Sequence, residues 1–312
     1  ASLCIYILSE RGLLNFHDPV SKYWPEFSKK GKQDILISHI MSHSSGLSGW
    51  KEPIEYTDFY NWDKVCNLLA DQEPFWEPGK AVGYHAITIG YLVGELVKRV
   101  SGKTIGKFFE DEIAGPLKSD FHIGLKDKDF SRVAEIFLPG AITSGDLFEN
   151  EDNESDVQKA QLNPSIDPLY ALEDDWRKSE IPAAGGHGNG KSLAECMALV
   201  ANNGEFNNRK ILSKENLDNI FLEQILGIDL VFNKLTRWGI GFALPVKNNS
   251  WMGYFNNEQT CYWTGWGGSL SIADRKNNSS LGYSPIKMEE DVFGEERTNS
   301  IVKAYVESLE NI

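Results

Sequence analysis

The chain has 312 residues, with 31 Lys and Arg against 45 Asp and Glu, a formal net charge of −14. That charge repels phosphate backbones and anionic lipid surfaces, which disfavours nucleic-acid and membrane partners. A composition of 41% hydrophobic and 24% charged residues is that of a globular protein able to bury a sizeable core, and no apolar run approaches the ~18 residues of a membrane span.

Residues 1–11 are apolar nearly all round (Leu3, Ile5, Tyr6, Ile7, Leu8), as in a buried helix, and Gly12 stops them. No basic region precedes the run and no small-residue cleavage site follows it, so it does not read as a signal peptide. No initiator Met and no capping residue stands before it; the expectation is a chain that begins inside a helix, as a fragment. Residues 35–43 carry Leu36, Ile40 and Met41 at helical spacing until Ser44, Ser45 and Gly46 break the pattern. Residues 85–100 give the clearest helix, with Ile87, Tyr91, Leu92, Leu96, Val97 and Val100 recurring at three or four and Ser101-Gly102 ending it. Ile105, Phe108, Phe109 and Ile113 make another. Six acids between 146 and 156 (Asp146, Glu149, Glu151, Asp152, Glu154, Asp156) predict a solvated loop. A helix follows over Ser192–Asn203, with Leu193, Met197 and Val200 inward and Gly204 after its end.

Near residue 238 the character changes. WGIGFALPV, TCYW, SLSIAD and LGYS are short β-type runs separated by Asn- and Gly-rich turns, which predicts an antiparallel meander. An amphipathic helix with Ile301, Tyr305, Leu309 and Ile312 on one face closes the chain. Helices followed by strands predict an α+β fold in one domain, with a helical lobe at roughly 20–220 and a sheet at roughly 235–312. Cys4, Cys66, Cys196 and Cys261 lack metal-site spacing and read as free buried thiols. Sequons at Asn153, Asn248, Asn277 and Asn278 arise easily in an Asn-rich chain and leave the compartment open.

Five strings carry a resemblance: GLLNFHDPVSKYWPEF, ISHIMSHSSGL, FWEPGKAVGYHAITIGYLVGELVKRVSGKTIGKFFEDEIAGPL, IPAAGGHGNGKSLAECMALVANNG and YWTGWGGSLSIAD. In this order they resemble class C β-lactamases and family VIII carboxylesterases, over essentially the whole chain. The resemblance implies the β-lactamase/transpeptidase-like fold, an antiparallel sheet flanked by helices plus an all-helical lobe, here with its first strands missing. It implies acyl transfer to a serine in a Ser-x-x-Lys motif at the start of a buried helix. Spacing by three puts both side chains on one helical face, where Lys can lower the proton affinity of Ser or relay its proton. The resemblance places that motif just before Ala1, so the chain as it stands is expected to lack its nucleophile and to be inactive. Three other Ser-x-x-Lys matches, starting at Ser48, Ser284 and Ser300, do not precede the PVSKYWPEF segment and are set aside as accidental.

The same resemblance makes Tyr84 the candidate proton carrier, following the turn Trp76-Glu-Pro78-Gly79. A free tyrosine ionises near ~10 and needs cations or a helix N-terminus to act as a base; the helix opening at His85 offers the second. Ala86 stands where the β-lactamases have Asn, which removes a contact to a substrate amide. Trp263, Thr264, Gly265, Trp266 and Gly267 resemble the Lys-Thr-Gly strand, with the Trp266 N–H as one of two oxyanion donors. Trp263 replaces the family's cation, which argues against β-lactam and peptide carboxylates. His85 and His187 (in GGHGNG) are possible cleft residues. His39 and His43 stand four apart, but no third ligand or HExxH glutamate accompanies them, so no metal is expected; no cofactor is expected either. These readings favour a serine hydrolase acting on small carboxylic esters or amides through an acyl-enzyme. A non-catalytic scaffolding or binding member of the same fold is the alternative and a peptidase a weaker third, with the oligomeric state open.

Overall fold

A computed structural model describes residues 1–144, 155–246, 255, 257–290 and 296–310. Helix α1 (Ser2–Glu10) buries Leu3 through Leu8 without a break. A helix with no polar face has to sit inside the molecule, and α1 packs against α4 (Thr88–Ser101) on one side and the helix Lys214–Phe221 on another. Polar anchors reach from it to a distant segment: the Tyr6 hydroxyl donates to the Ile240 carbonyl at 2.9 Å and Ser2 Oγ to that of Gly241 at 3.0 Å. Gly12, with φ of +67°, follows its end.

The remaining helices start and stop on local chemistry. In α3 (Trp62–Asp71) the Asn61 side chain accepts from the Lys64 N–H, and in α5 (Ile105–Phe109) Thr104 does the same for Lys107, each satisfying a donor that the helix itself leaves unpaired. Helix α4 starts at Thr88, three residues later than the periodicity suggests, and ends at the left-handed Gly102. Helix α2 (Ile37–Met41), between α1 and α3, is brief. Helix α5 runs on through a π turn, Glu110–Ala114, to Leu117. The helix Gly190–Ala201 is capped by Asn189.

Two small antiparallel pairs lie among the helices: β1 (His122–Ile123) with β2 (Gly186–His187), and β3 (Glu205–Phe206) with β4 (Arg209–Lys210). The main sheet is antiparallel. β5 (Ile225–Ile228) pairs with β6 (Leu235–Trp238). β7 (Thr260–Gly265), β8 (Ser269–Asp274) and β9 (Ser279–Tyr283) form a meander in the order β7-β8-β9. Ala243 joins the two parts through bridges to Trp238 and Tyr262. Alternation along β8 sends Leu270 and Ile272 into a cluster with Val302 of the terminal helix Glu296–Glu310. On the opposite face Ala273 belongs to the main core, and its neighbour Ser280 of β9 donates to the Ala194 carbonyl of the helix Gly190–Ala201 at 3.0 Å. Helices therefore cover both faces of the sheet, the α+β arrangement expected from the sequence.

Some expectations need correction. The sheet begins at Ile225, ahead of residue 235. WGIGFALPV supplies only the end of β6 and the bridging Ala243, because Gly239 and Gly241 (φ +81°) turn the chain between them. Thr298 and Val302 are the buried residues of the terminal helix, with Ile301 half-buried; Ile312 lies outside the described residues. The acidic run also lies outside them for the most part, but its last member, Asp156, opens the short helix Asp156–Gln161 rather than a loop. All four cysteines are free; Cys4, Cys66 and Cys261 are buried and Cys196 is half-buried. No helix among the described residues is long and apolar enough to cross a membrane.

Candidate active site

Helix α2 gives way to a tight turn at His43, whose backbone is left-handed at φ +57°. That turn meets the segment leading into α4. The Gly83 N–H donates to the His43 carbonyl at 3.1 Å and the His85 N–H to His43 Nδ1 at 3.0 Å. The His85 ring points inward and is fully buried. Its Nδ1–H donates to the Gly83 carbonyl at 2.6 Å, which leaves Nε2 to accept from the Leu47 N–H at 3.2 Å, with Ser45 Oγ also 2.7 Å away. His85 is therefore not a cleft residue, and the sequence expectation is corrected: its hydrogen bonds all run into the core. Burial holds its pKa down at about 4.

Tyr84, the preceding residue, faces the cleft. Its ring lies 5.0 Å from that of His43, 5.0 Å from that of Trp263 and 4.9 Å from that of Phe232, the last in a stacked arrangement. Trp238 completes this aromatic floor, 4.1 Å from His43 and 4.7 Å from Trp263. Burial raises the pKa of Tyr84 above the ordinary tyrosine value; the indole of Trp263 works against that rise and the carboxylate of Asp229 adds to it. The phenol is thus neutral at physiological pH in the surroundings described.

Strand β7 brings Trp263, Thr264 and Gly265 to the same cleft, and the turn after it brings Trp266 and Gly267. Gly267 and Gly268 take φ of +89° and +91°, a conformation open to glycine. Thr264 is buried and its Oγ1 has no hydrogen-bond partner among the described residues. The Trp266 indole donates to the Glu290 carbonyl at 3.2 Å, while its backbone N–H has no acceptor among the described residues. His187, in β2, also lines the cleft; its Nδ1–H donates to the Gly185 carbonyl at 3.0 Å, and burial lowers its pKa.

The cleft has a volume of about 840 Å³. Tyr84, Ala86 and Trp263 line one part of it, and Trp50, Phe59 and Trp176 another. Its charged lining among the described residues is Asp120, Asp129, Asp167 and Arg132. Arg132 is already engaged, at 2.7 and 2.9 Å to Asp120 and 2.9 Å to Asp129, and no lysine among the described residues reaches the lining.

The three stray Ser-x-x-Lys matches do not assemble. Ser48 lines the cleft with its Oγ unpartnered among the described residues, but Lys51 Nζ turns to Glu73 at 3.0 Å. Ser284 also lines the cleft, yet Lys287 lies in an extended segment bridged to Phe137, where residues three apart do not share a face. Ser300 Oγ donates to the Arg297 carbonyl. His39 and His43 do not converge on one point, since His39 Nδ1 accepts from the Leu36 N–H and His43 Nδ1 from that of His85. Sequence reasoning missed Asp229 and Phe232, which stand against Tyr84; the only local signal is an Asp in the turn between two apolar runs.

The Beta-lactamase family model matches residues 1–304. The esterase/beta-lactamase LipL of Mycobacterium tuberculosis is 32% identical over 218 residues, 68% of this chain and 50% of that protein; the chain thus spans about half the length of this curated relative. The crystal structure of a family VIII carboxylesterase superposes with a TM-score of 0.88 at 33% identity, covering 97% of this chain and 79% of that one. EstA from Arthrobacter nitroguajacolicus Rue61a gives a TM-score of 0.83 at 27% identity, over 98% and 82% of the two chains. With a family match running through both the Tyr84 segment and strand β7, the chain belongs to the beta-lactamase family.

Proposed function

We propose that the cleft serves the hydrolysis of small, uncharged carboxylic esters through an acyl-enzyme, with Tyr84 as proton carrier and the Trp266 N–H as one oxyanion donor. The family's Ser-x-x-Lys pair, by its spacing to Gly12 and Asp18-Pro19, would stand just ahead of Ala1. Serine Oγ adds to the ester carbonyl while its proton passes to Tyr84. The tetrahedral oxygen takes its negative charge toward the Trp266 N–H. The C–O bond to the alcohol then breaks as Tyr84 returns the proton to the departing oxygen. Water, activated in turn by Tyr84, releases the acid. A buried phenol ionises only beside a cation, and the lysine of the motif is the group that would supply one.

The observation that carries the substrate class is the charge of the cleft. Three aspartates face one arginine that two of them already engage, and Trp263 occupies the position of the family's cation. A substrate carboxylate finds no free positive partner there among the described residues, whereas a neutral ester brings no charge of its own to desolvate. The esterase relatives support the same reading. The test is p-nitrophenyl acetate and a cephalosporin offered to the 312-residue chain and to a chain extended upstream through the Ser-x-x-Lys motif. The expected result is no turnover by the first, and acetate hydrolysis by the second at a kcat/KM about 100-fold or more above that for the cephalosporin. Trp263→Lys in the extended chain should narrow that ratio. Equal rates on both substrates would remove Trp263 as the filter. An extended chain that carries the motif but turns over neither would favour the non-catalytic member of the fold.

A further inference from the structure

One carboxylate outside the proposed chemistry is tied directly to the residue that carries it. Asp229 lies in the turn between β5 and β6 and is fully buried. Its Oδ1 accepts three backbone N–H groups: Val231 at 2.8 Å, Phe232 at 3.1 Å and, far away in sequence, Tyr84 at 3.2 Å. The turn is also held from outside the carboxylate. The Asp229 N–H donates to the Lys234 carbonyl at 2.9 Å, and the Asn233 N–H returns to that of Asp229 at 2.8 Å. The Leu230 N–H donates to the Val82 carbonyl at 2.9 Å, two residues before Tyr84. Phe232, whose N–H the carboxylate holds, lays its ring on the Tyr84 phenol at 4.9 Å and 24°. Val231 is buried beside it.

One carboxylate oxygen thus gathers the backbone of Tyr84 and the backbone of the residue that stacks on its ring. An ionised acid in the core is costly unless hydrogen bonds compensate it. Here three donors converge on Oδ1, while Oδ2 has no partner among the described residues. A plain structural turn needs only the two local donors, Val231 and Phe232, as Asp provides in many turns. The third donor, from Tyr84, links the turn to the cleft.

We propose that Asp229 is a positioning residue for Tyr84, fixing the phenol in the cleft through the Tyr84 N–H on one side and the Phe232 ring on the other. It touches neither substrate nor reacting atoms. Hydrogen bonds that hold a catalytic group in place act on the chemical step more than on binding, because a small displacement of the reacting oxygen costs rate at unchanged affinity. The proposal rests on the reading of Tyr84 as the proton carrier, and the test separates the two.

The experiment compares Asp229→Asn, Asp229→Ala, Phe232→Ala and Tyr84→Phe in the upstream-extended chain, with p-nitrophenyl acetate as substrate. Asn keeps an acceptor oxygen in the place of Oδ1, so Asp229→Asn is expected to stay within about 3-fold of the parent. Asp229→Ala should lower kcat by about 10-fold or more with KM nearly unchanged, and Phe232→Ala should lower it in the same sense. In the Tyr84→Phe background Asp229→Ala should cost no further activity, since residues that act as one unit are not additive. A second measurement needs no turnover: in the 312-residue chain, hydrogen exchange at the amides of Tyr84, Val231 and Phe232 should quicken at least 10-fold in Asp229→Ala and much less in Asp229→Asn, which also holds if the extended alanine variant fails to fold. An unchanged kcat in Asp229→Ala, a full additive loss on Tyr84→Phe, or unchanged exchange at the Tyr84 amide would overturn the positioning role. Full activity in Tyr84→Phe would instead overturn the reading on which it stands.

Discussion

His85 and Tyr84 are neighbours with opposite fates, and the first explains the second. The imidazole is pinned to the core by the Gly83 carbonyl and the Leu47 N–H, and the adjacent side chain is left to face the cleft. The pinning also fixes the protonation state. Nε2 accepts an N–H, so a proton placed there would confront the Leu47 donor, and burial disfavours the charge as well. The folded pKa of His85, about 4, lies below its unfolded value, so the stability linked to this group is complete above roughly pH 6.5 and lost as pH falls through about 4. His43, also buried, shifts in the same direction. The urea midpoint is therefore expected to decline between these two pH values. His85→Gln should flatten part of that decline, leaving the share of His43, while costing ~1–3 kcal/mol at pH 7 through mispaired backbone groups. A pH-independent midpoint over this window would mean that the two rings take up their protons in the fold as they do in the unfolded chain.

At the scale of elements, the sheet and its covering helix meet at glycines. A Cβ on Gly282 of β9 would come 2.1 Å from the Gly190 carbonyl at the start of the helix Gly190–Ala201. Gly282→Ala is expected to push that helix off the sheet and cost about 1–3 kcal/mol or more. Gly227→Ala, in β5, meets only a Val82 methyl at 3.5 Å and should stay within about 0.5 kcal/mol of the parent. Urea unfolding of both variants checks the contrast. The same contacts mark what the sequence conveyed and what it hid. The run from Leu3 to Leu8 is apolar on every side and needed no tertiary information to be read as a buried helix. The β7-β8-β9 meander was legible from turns rich in Asn and Gly. β5 was not, because Leu226 and Ile228 face solvent and the sequence ILGI has no apolar–polar alternation to match the strand's alternating burial. WGIGFALPV was over-read as a strand because its first glycine meets a distant backbone: a Cβ on Gly239 would lie 1.8 Å from the Ile220 carbonyl, a constraint with no local trace. In the site, Tyr84 and Trp263 were found through family strings, whereas Asp229 belongs to none of them and acts only once β5 and β6 are folded against Tyr84.

In the whole molecule the cleft and the rings packed behind Tyr84 are a convergence of distant segments: the approach to α4, the pair β1–β2 and β7 in the lining, the turn at His43 and the β5–β6 turn behind it. None of them forms the site alone, so its integrity reports on the entire fold. The buried thiols make that dependence measurable in time. Cys4 sits in α1, Cys66 in α3 and Cys261 in β7, each enclosed, and burial raises the pKa of all three, that of Cys4 to about 11. A thiol-specific reagent at pH 8 meets neither an accessible sulfur nor an appreciable thiolate until the surrounding structure opens. The rate of modification at each cysteine then becomes a clock for the opening of its own region. If helices and sheet form one cooperative unit, as proposed for a single domain, Cys4, Cys66 and Cys261 will be modified together at the rate of global unfolding, with half-buried Cys196 ahead of them. Mass spectrometry of the time course would show it, and a Cys261 that reacts well before Cys4 would mean that the sheet opens while the helices hold.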